Sequence, residues 1–273
     1  DPFFIENLKY KDKNIVIRVD WNIPTKDNKI IDDFRIISSL NTINYILDQN
    51  PNRIIIISHL GRPNGFDIKY SWINFIDQLQ KYFKIKLTFL DDGLTTNTIS
   101  LLNESKDKLF LLENIRFCKE ETNYNENLSS KSLDIYNKLG DIFVNDAFGA
   151  CHRNHMSITA CRKRKRSYGY LIDKEINLLK KITSNNTNYK ILAIIGGGKM
   201  DDKLPLLESL SNKVDGIYLA GGNINSILKN EEYKKYIAKI SRNKSKIHLM
   251  TDGIGSSDLI SYPEYRETEY DNN

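Results

Sequence analysis

At 273 residues with 40% hydrophobic content, the chain holds enough apolar material for about two domains with a packed core each. Lys and Arg total 40 against 35 Asp and Glu, and the resulting net charge of +5 favours small acidic ligands but is too weak for a nucleic-acid binder. No apolar run reaches membrane-span length, and the start Asp1-Pro2-Phe3-Phe4 lacks the basic and apolar parts of a signal peptide. Cys118, Cys151 and Cys161 have no C-x-x-C spacing, which argues against a disulfide framework. The expectation is a cytoplasmic protein without membrane or nucleic-acid partners.

Short aliphatic runs alternate with amphipathic stretches along the chain. Ile15 to Val19 reads as a strand and Ile36 to Leu47 as a helix. Ile54 to Ile57 and Trp72 to Phe83 repeat the pair, as do Leu109 to Leu112 and Leu128 to Leu139, and Ile142 to Asn145 adds a further strand. The alternation predicts βαβ units and a mainly parallel sheet covered by helices. Tyr170 to Ile182 has apolar residues at helical spacing and runs into the polar stretch 183–188, which predicts a connecting helix and a boundary. A second α/β pattern follows: strand Ile191 to Ile195, helix Leu204 to Leu210, strand Gly216 to Ala220, helix Ile224 to Ile240 and strand Lys246 to Met250. Beyond Asp252 the chain reads as polar and irregular. The expected organisation is a first domain over 1–168, a connecting helix and hinge over 169–188, and a short second domain over 189–273.

The polar hexamer Ser58-His59-Leu60-Gly61-Arg62-Pro63 leaves the run Ile54 to Ile57 where a buried parallel strand ends, at the crevice in which α/β sheets bind ligands. An imidazole and a guanidinium three residues apart, with Pro63 stiffening the exit, suit a phosphate or carboxylate; a surface turn with solvated side chains is the plain alternative. Four further segments occupy equivalent positions. Asp20 and Asn22 follow the first strand and suit ligand hydroxyls. Arg35 opens a helix, where backbone N–H groups already favour an anion. Arg116 follows the third strand, and His152 and Arg153 the fourth. Singly, each arginine reads as a solvated or ion-paired side chain. Jointly, Arg35, His59, Arg62, Arg116 and Arg153 lie along one edge of one sheet, and such a rim calls for an anionic guest.

The second half carries a different motif. Gly196-Gly197-Gly198-Lys199 and Lys203 join a strand to a helix, and Gly221-Gly222 follows the next strand. Glycines let backbone amides approach a phosphate and a lysine adds a point charge, although the Walker A spacing is absent.

In this order, RVDWNIP, DDFRI, SHLGRP, LLENIRF, VNDAFGACHR and IIGGGKMDDK resemble phosphoglycerate kinase, from near residue 5 to about 230. The resemblance implies two Rossmann-like three-layer αβα domains with mainly parallel sheets, the second truncated, in a monomer that closes about a hinge. It implies that Asp20, Asn22, Arg35, His59, Leu60, Gly61, Arg62, Arg116 and Arg153 hold 3-phosphoglycerate or 1,3-bisphosphoglycerate. Gly197, Gly198, Lys199, Lys203, Gly221 and Gly222 would serve ADP or ATP, carried with Mg2+, and Arg35 and Lys203 would surround the moving phosphoryl group with positive charge. No covalent intermediate is implied.

Two departures stand out. Arg162-Lys163-Arg164-Lys165-Arg166 is more basic than the family's usual approach to the connecting helix, and reads as a solvated loop. The family's Gly-Gly-Gly-Asp type loop and later acidic residue for nucleotide and magnesium are not found, and Asp252 to Asp258 does not replace them. The expectation is a fragment of a kinase, inactive as it stands. A shortened pseudokinase that only binds triose-phosphate acids is the first alternative. The second is a zinc-dependent nucleic-acid binder using Cys151, His152, His155 and Cys161, whose spacing is not a recognised one.

Overall fold

The computed structural model describes residues 1–125, 127, 129–163, 165–183, 190–197, 200–241, 246–249, 252–256 and 265–269. The chain forms two compact units, Asp1–Ile176 and Asn177–Asn273. Among the described residues no helix is long and apolar enough to cross a membrane.

The first unit begins with β1 (Asn14–Val19), the small hairpin β2 (Thr25–Lys26) and β3 (Lys29–Ile30), α1 (Phe34–Asp48) and β4 (Arg53–Ile57). It continues through α2 (Ile76–Gln80), β5 (Leu87–Leu90), α3 (Thr96–Glu104), β6 (Leu109–Leu112), α4 (Lys119–Thr122) and α5 (Lys131–Lys138). β7 (Ile142–Asp146), α6 (Met156–Thr159), β8 (Lys165–Tyr168) and α7 (Tyr170–Thr183) complete it, the last helix running on into the second unit.

Six strands pair in the order β5-β6-β4-β1-β7-β8, and every pairing is parallel. The aliphatic runs explain the central position of β1, β4 and β6, because successive side chains point to opposite faces and both faces are packed. Ile15, Ile17, Ile54, Ile56, Leu109 and Leu111 fill one core, while Val16, Ile55, Ile57, Phe110 and Leu112 fill the other. Burial of this kind contributes on the order of 1.5–3 kcal/mol per large aliphatic side chain.

Local chemistry trims several of the expected elements. The helix expected over Trp72 to Phe83 is α-helical only from Ile76, because Trp72–Asn74 forms a 3-10 turn. Ser71 accepts from Ile73 N (3.2 Å) and the buried Glu113 accepts from Trp72 N (3.1 Å), fixing that turn. α5 starts where the Ser130 hydroxyl accepts from Leu133 N at 3.2 Å, a cap for an otherwise unpaired amide. The basic run is a correction: Lys165 and Arg166 are not in a solvated loop but in β8, the edge strand paired with β7. That edge is covered in turn, since Tyr168 N donates to the Phe3 carbonyl (2.7 Å) and Phe4 bridges Tyr168 in parallel.

The division at 176 falls inside the segment expected to connect the units. Asp146 Oδ1 accepts from Leu171 N (2.9 Å) and Ile172 N (3.3 Å), and Thr42 Oγ1 accepts from Tyr170 N (3.0 Å). These bonds satisfy amides at the start of α7 and hold its first turn to the first unit.

The second unit has a parallel sheet in the order β11-β10-β9, made of β9 (Leu192–Ile195), β10 (Gly216–Leu219) and β11 (Lys246–Leu249). α8 (Leu204–Ser211), α9 (Asn223–Lys229) and α10 (Glu231–Ile240) accompany it. Ile195, Leu207, Ile217, Leu219, Ile227 and Ile240 form its core. Leu192 and Ile194 of β9 point the other way and are 59% and 70% exposed, so among the described residues this sheet is packed on one face. The single helix expected over Ile224 to Ile240 is broken at Asn230, whose extended backbone and side chain, accepting from Glu232 N and Tyr233 N, start a new helix. Beyond Asp252, where irregular chain was expected, β12 (Asp252–Ser256) and β13 (Tyr265–Glu269) pair antiparallel.

Candidate anion site

A cavity of about 170 Å³ lies at the C-terminal ends of the first sheet's central strands, lined by Asp20, Asn22, Arg35, His59, Arg116 and Arg153, with Gly149, Ala150 and His155 completing the wall. The topology explains the meeting. Asp20 directly follows β1, His59 lies two residues beyond β4, Arg116 sits in the 3-10 turn after β6, and Arg153 follows β7. β1 lies between β4 and β7, with β6 beyond β4, so residues far apart in sequence share one sheet edge. A larger cleft of about 340 Å³ around Phe66, Asp92, Phe117 and Ser132 contains none of the expected site residues.

Within the cavity the polar groups hold one another in place. Arg35 Nη1 stands 2.7 Å from Asp20 Oδ2. Asn22 Oδ1 accepts from Gly61 N at 2.8 Å, which leaves the Asn22 amide group as a donor. Arg116 Nη1 donates to the Gly61 carbonyl. Gly61 itself adopts φ 62°, and a Cβ there would collide with the Tyr70 ring, so only glycine suits both backbone and space.

The hexamer is thus divided in its duties. His59 lines the cavity, whereas Leu60, Gly61 and Arg62 do not. Leu60 is buried in the first core, with its N–H and carbonyl both bonded to Asn114 (3.2 and 2.8 Å). Gly61 works through its backbone, and Arg62 is exposed outside the lining.

His59 adds no charge to the rim. Burial, then the charges of Arg18 and Arg116, with His155 and Arg153 adding less, push its pKa down to about 2, so the ring is neutral at ordinary pH. Its Nδ1 lies 3.0 Å from Arg18 Nη2. Arg116 is lowered by burial first and by the neighbouring guanidinium groups of Arg153 and Arg18 next, against the pull of Glu121.

Behind this wall lies a layer that sequence reading missed. Arg18 is fully buried inside β1, and Glu121 on α4 is fully buried opposite it at 3.9 Å. Arg18 Nε donates to Ser157 Oγ at 2.9 Å, and Ser157 donates its hydroxyl (2.7 Å) and backbone N–H (2.8 Å) to Glu121. Burial works against ionised Glu121, yet His155, Arg18 and Ser157 hold its carboxyl below the usual range. The one signal in the sequence was an arginine in the middle of an otherwise aliphatic strand, which demands a buried partner.

In the second unit the ends of β9 and β10 lie side by side. Gly197 (φ 122°) and Gly221 (φ 71°) approach so closely that a Cβ on Gly221 would lie 3.2 Å from Gly197 N, and one on Gly197 would meet Lys203 Nζ. Gly222 precedes α9, and Lys203 precedes α8. Gly198 and Lys199 lie outside the described residues, as does Arg164 of the basic run.

The metal-site alternative finds no geometry. Cys161 is buried and donates to the Ile158 carbonyl (2.9 Å), while Cys151 contacts the Asn145 amide (3.3 Å). Among the described residues no group of three or more His, Cys, Asp or Glu side chains is placed to hold a metal ion.

The fold and site define an α/β protein with parallel sheets in two units, an arginine-rich cavity at the strand ends of one and a glycine-lysine turn in the other. The chain matches the description "Phosphoglycerate kinase" over residues 5–256, and it belongs to that family. It is 35% identical to the phosphoglycerate kinase of Kluyveromyces lactis over 284 residues, covering 91% of this chain and 66% of that protein. It is 36% identical to the one of Candida glabrata over 243 residues, covering 84% and 58%. Among solved structures, phosphoglycerate kinase from Coxiella burnetii superposes with a TM-score of 0.71 at 28% identity, covering 97% of this chain and 70% of that one. The structure from Pyrococcus horikoshii, at 24% identity and TM-score 0.74, covers 98% and 71% and shares the fold. The chain spans 57–66% of the length of the first curated relatives it matches.

Proposed function

We propose that this chain serves phosphoryl transfer between 1,3-bisphosphoglycerate and ADP, giving 3-phosphoglycerate and ATP. The observation that carries the reading is the convergence of Asp20, Asn22, Arg35, His59, Arg116 and Arg153 on one cavity. Three guanidinium groups and the N–H groups of Asn22 and His59 match a phosphorylated acid, and the Asp20 carboxylate matches its hydroxyl. Arg62 contributes charge from outside the lining, and Leu60 and Gly61 shape the loop.

In the second unit, Gly197, Gly221 and Gly222 allow backbone approach to the nucleotide, and Lys203 supplies a point charge for its phosphates. Phosphoryl transfer spreads negative charge over the moving group, so positioning and fixed positive charge do most of the work. Arg35 is the first unit's contribution to that charge and Lys203 the second unit's. Magnesium enters as part of the nucleotide substrate; no cluster among the described residues fits it, and no step is assigned to it. With the activity goes a cytoplasmic monomer that needs no nucleic-acid or membrane partner.

Calorimetric titration of the 273-residue chain with 3-phosphoglycerate tests the first unit, and a coupled assay with ATP tests the whole reaction. Micromolar to millimolar binding that Arg153→Ala weakens supports the site. No binding of 3-phosphoglycerate by the folded chain would overturn it, and binding without turnover would restrict this chain to the acid half of the reaction.

A further inference from the structure

A chain of donors with one possible direction runs behind the cavity. Glu121, held ionised, can only accept, so the Ser157 hydroxyl proton points at it (2.7 Å). The Ser157 oxygen is then free to accept from Arg18 Nε at 2.9 Å. A guanidinium has no acceptor, so at the next contact, 3.0 Å from Arg18 Nη2 to His59 Nδ1, the imidazole nitrogen must accept. A neutral imidazole with an unprotonated Nδ1 carries its hydrogen on Nε2.

We propose that the buried Glu121 and Arg18 are positioning residues for the anion site: through Ser157 they hold His59 as a neutral ring whose N–H is on Nε2, presented as a donor to the bound anion. The charged groups facing His59 agree with this. Arg18, Arg116 and Arg153 act on it with His155; of the carboxylates, Glu121 is taken up by Arg18, His155 and Ser157, and Asp20, in the same cavity lining, by Arg35. A fourth positive charge in this space would be opposed by burial and by the arginines together. His59 therefore contributes a directed hydrogen bond, and the site's charge comes from its arginines, which do not titrate in the physiological range.

The affinity arm of the test rests on the 3-phosphoglycerate reading; the spectroscopic arm does not. In the full chain labelled with 15N at histidine, the His59 ring is followed by NMR from pH 5.5 to 8, beside Arg18→Met/Glu121→Gln, which removes both buried charges together. The wild type should show one Nε2–H tautomer with no titration. The double variant should admit the Nδ1–H tautomer and bind 3-phosphoglycerate at pH 7.5 roughly tenfold more weakly, the loss of one directed bond. A wild-type His59 that titrates in this window or carries its proton on Nδ1 would overturn the proposal, as would a folded double variant with unchanged ring state and affinity. If the double variant does not fold, the wild-type ring state decides alone. Failure of the wild type to bind 3-phosphoglycerate would remove the functional reading and leave the ring measurement standing.

Discussion

The Arg35 guanidinium and the Asp20 carboxylate meet at 2.7 Å in the lining of the strand-end cavity, with side-chain exposures of 48% and 19%. So open a pair contributes little to folding, about 0–1 kcal/mol. Arg35→Ala should therefore leave the thermal midpoint within a few degrees while weakening 3-phosphoglycerate binding by about 1–3 kcal/mol, the loss of a charged hydrogen bond. Parallel melting and calorimetry check this. A large fall in stability would make Arg35 a structural residue.

Arg153 lines the cavity and Arg62 does not, although sequence alone put them on the same rim. Arg153→Ala should cost about 1–3 kcal/mol in 3-phosphoglycerate affinity. Arg62→Ala should cost less, and its effect should fade with added salt because an exposed charge is screened. Titrations at two ionic strengths separate direct contact from long-range attraction.

Which parts of the site were legible follows from the same contrast. The runs Ile54 to Ile57 and Leu109 to Leu112 announce strands by themselves, so His59 and Arg116 could be placed at strand ends. β5 (Leu-Thr-Phe-Leu) breaks its apolar run with a threonine and β8 is hidden under lysine and arginine, because an edge strand need bury only part of itself. Arg18 and Glu121 were invisible as a pair, since nothing local in α4 says that Glu121 reaches Arg18. The neutral state of His59 depends on that buried layer, and no motif encodes it.

Asp146 predicts a pH dependence. Burial raises its pKa from 3.8 to about 6 against the pull of Thr42 and the Ile172 and Leu171 amides, and its Oδ2 has no hydrogen-bond partner among the described residues. A folded-state pKa above the unfolded one means that the folded chain binds the proton more tightly. The contribution is complete below about pH 4 and is lost as pH rises through about 6. Asp146→Asn keeps an acceptor for the α7 amides and removes the buried charge. It should be more stable than the wild type at pH 8 by on the order of 1–3 kcal/mol, with the difference shrinking toward pH 4. Urea unfolding at pH 4.5 and 8 measures it; equal differences at both would show that Asp146 does not titrate.

Gly221→Ala should act on the nucleotide alone. Its φ of 71° disfavours alanine and the new Cβ would press on Gly197 N at 3.2 Å, shifting the turn that faces Lys203. ADP affinity should fall about tenfold with 3-phosphoglycerate affinity unchanged. Loss of both would point to a general folding defect.

The short pairing of Phe3 and Phe4 with Tyr168 has a consequence of its own. β8 ends the sheet, and an open strand edge is a template on which other chains can add. The first four residues occupy part of that edge and place the Phe3 ring against the Arg166 guanidinium, 5.4 Å from its centroid. They act as a stopper. A chain without them would bare that edge, and it should then assemble edge to edge as concentration rises, which light scattering would detect.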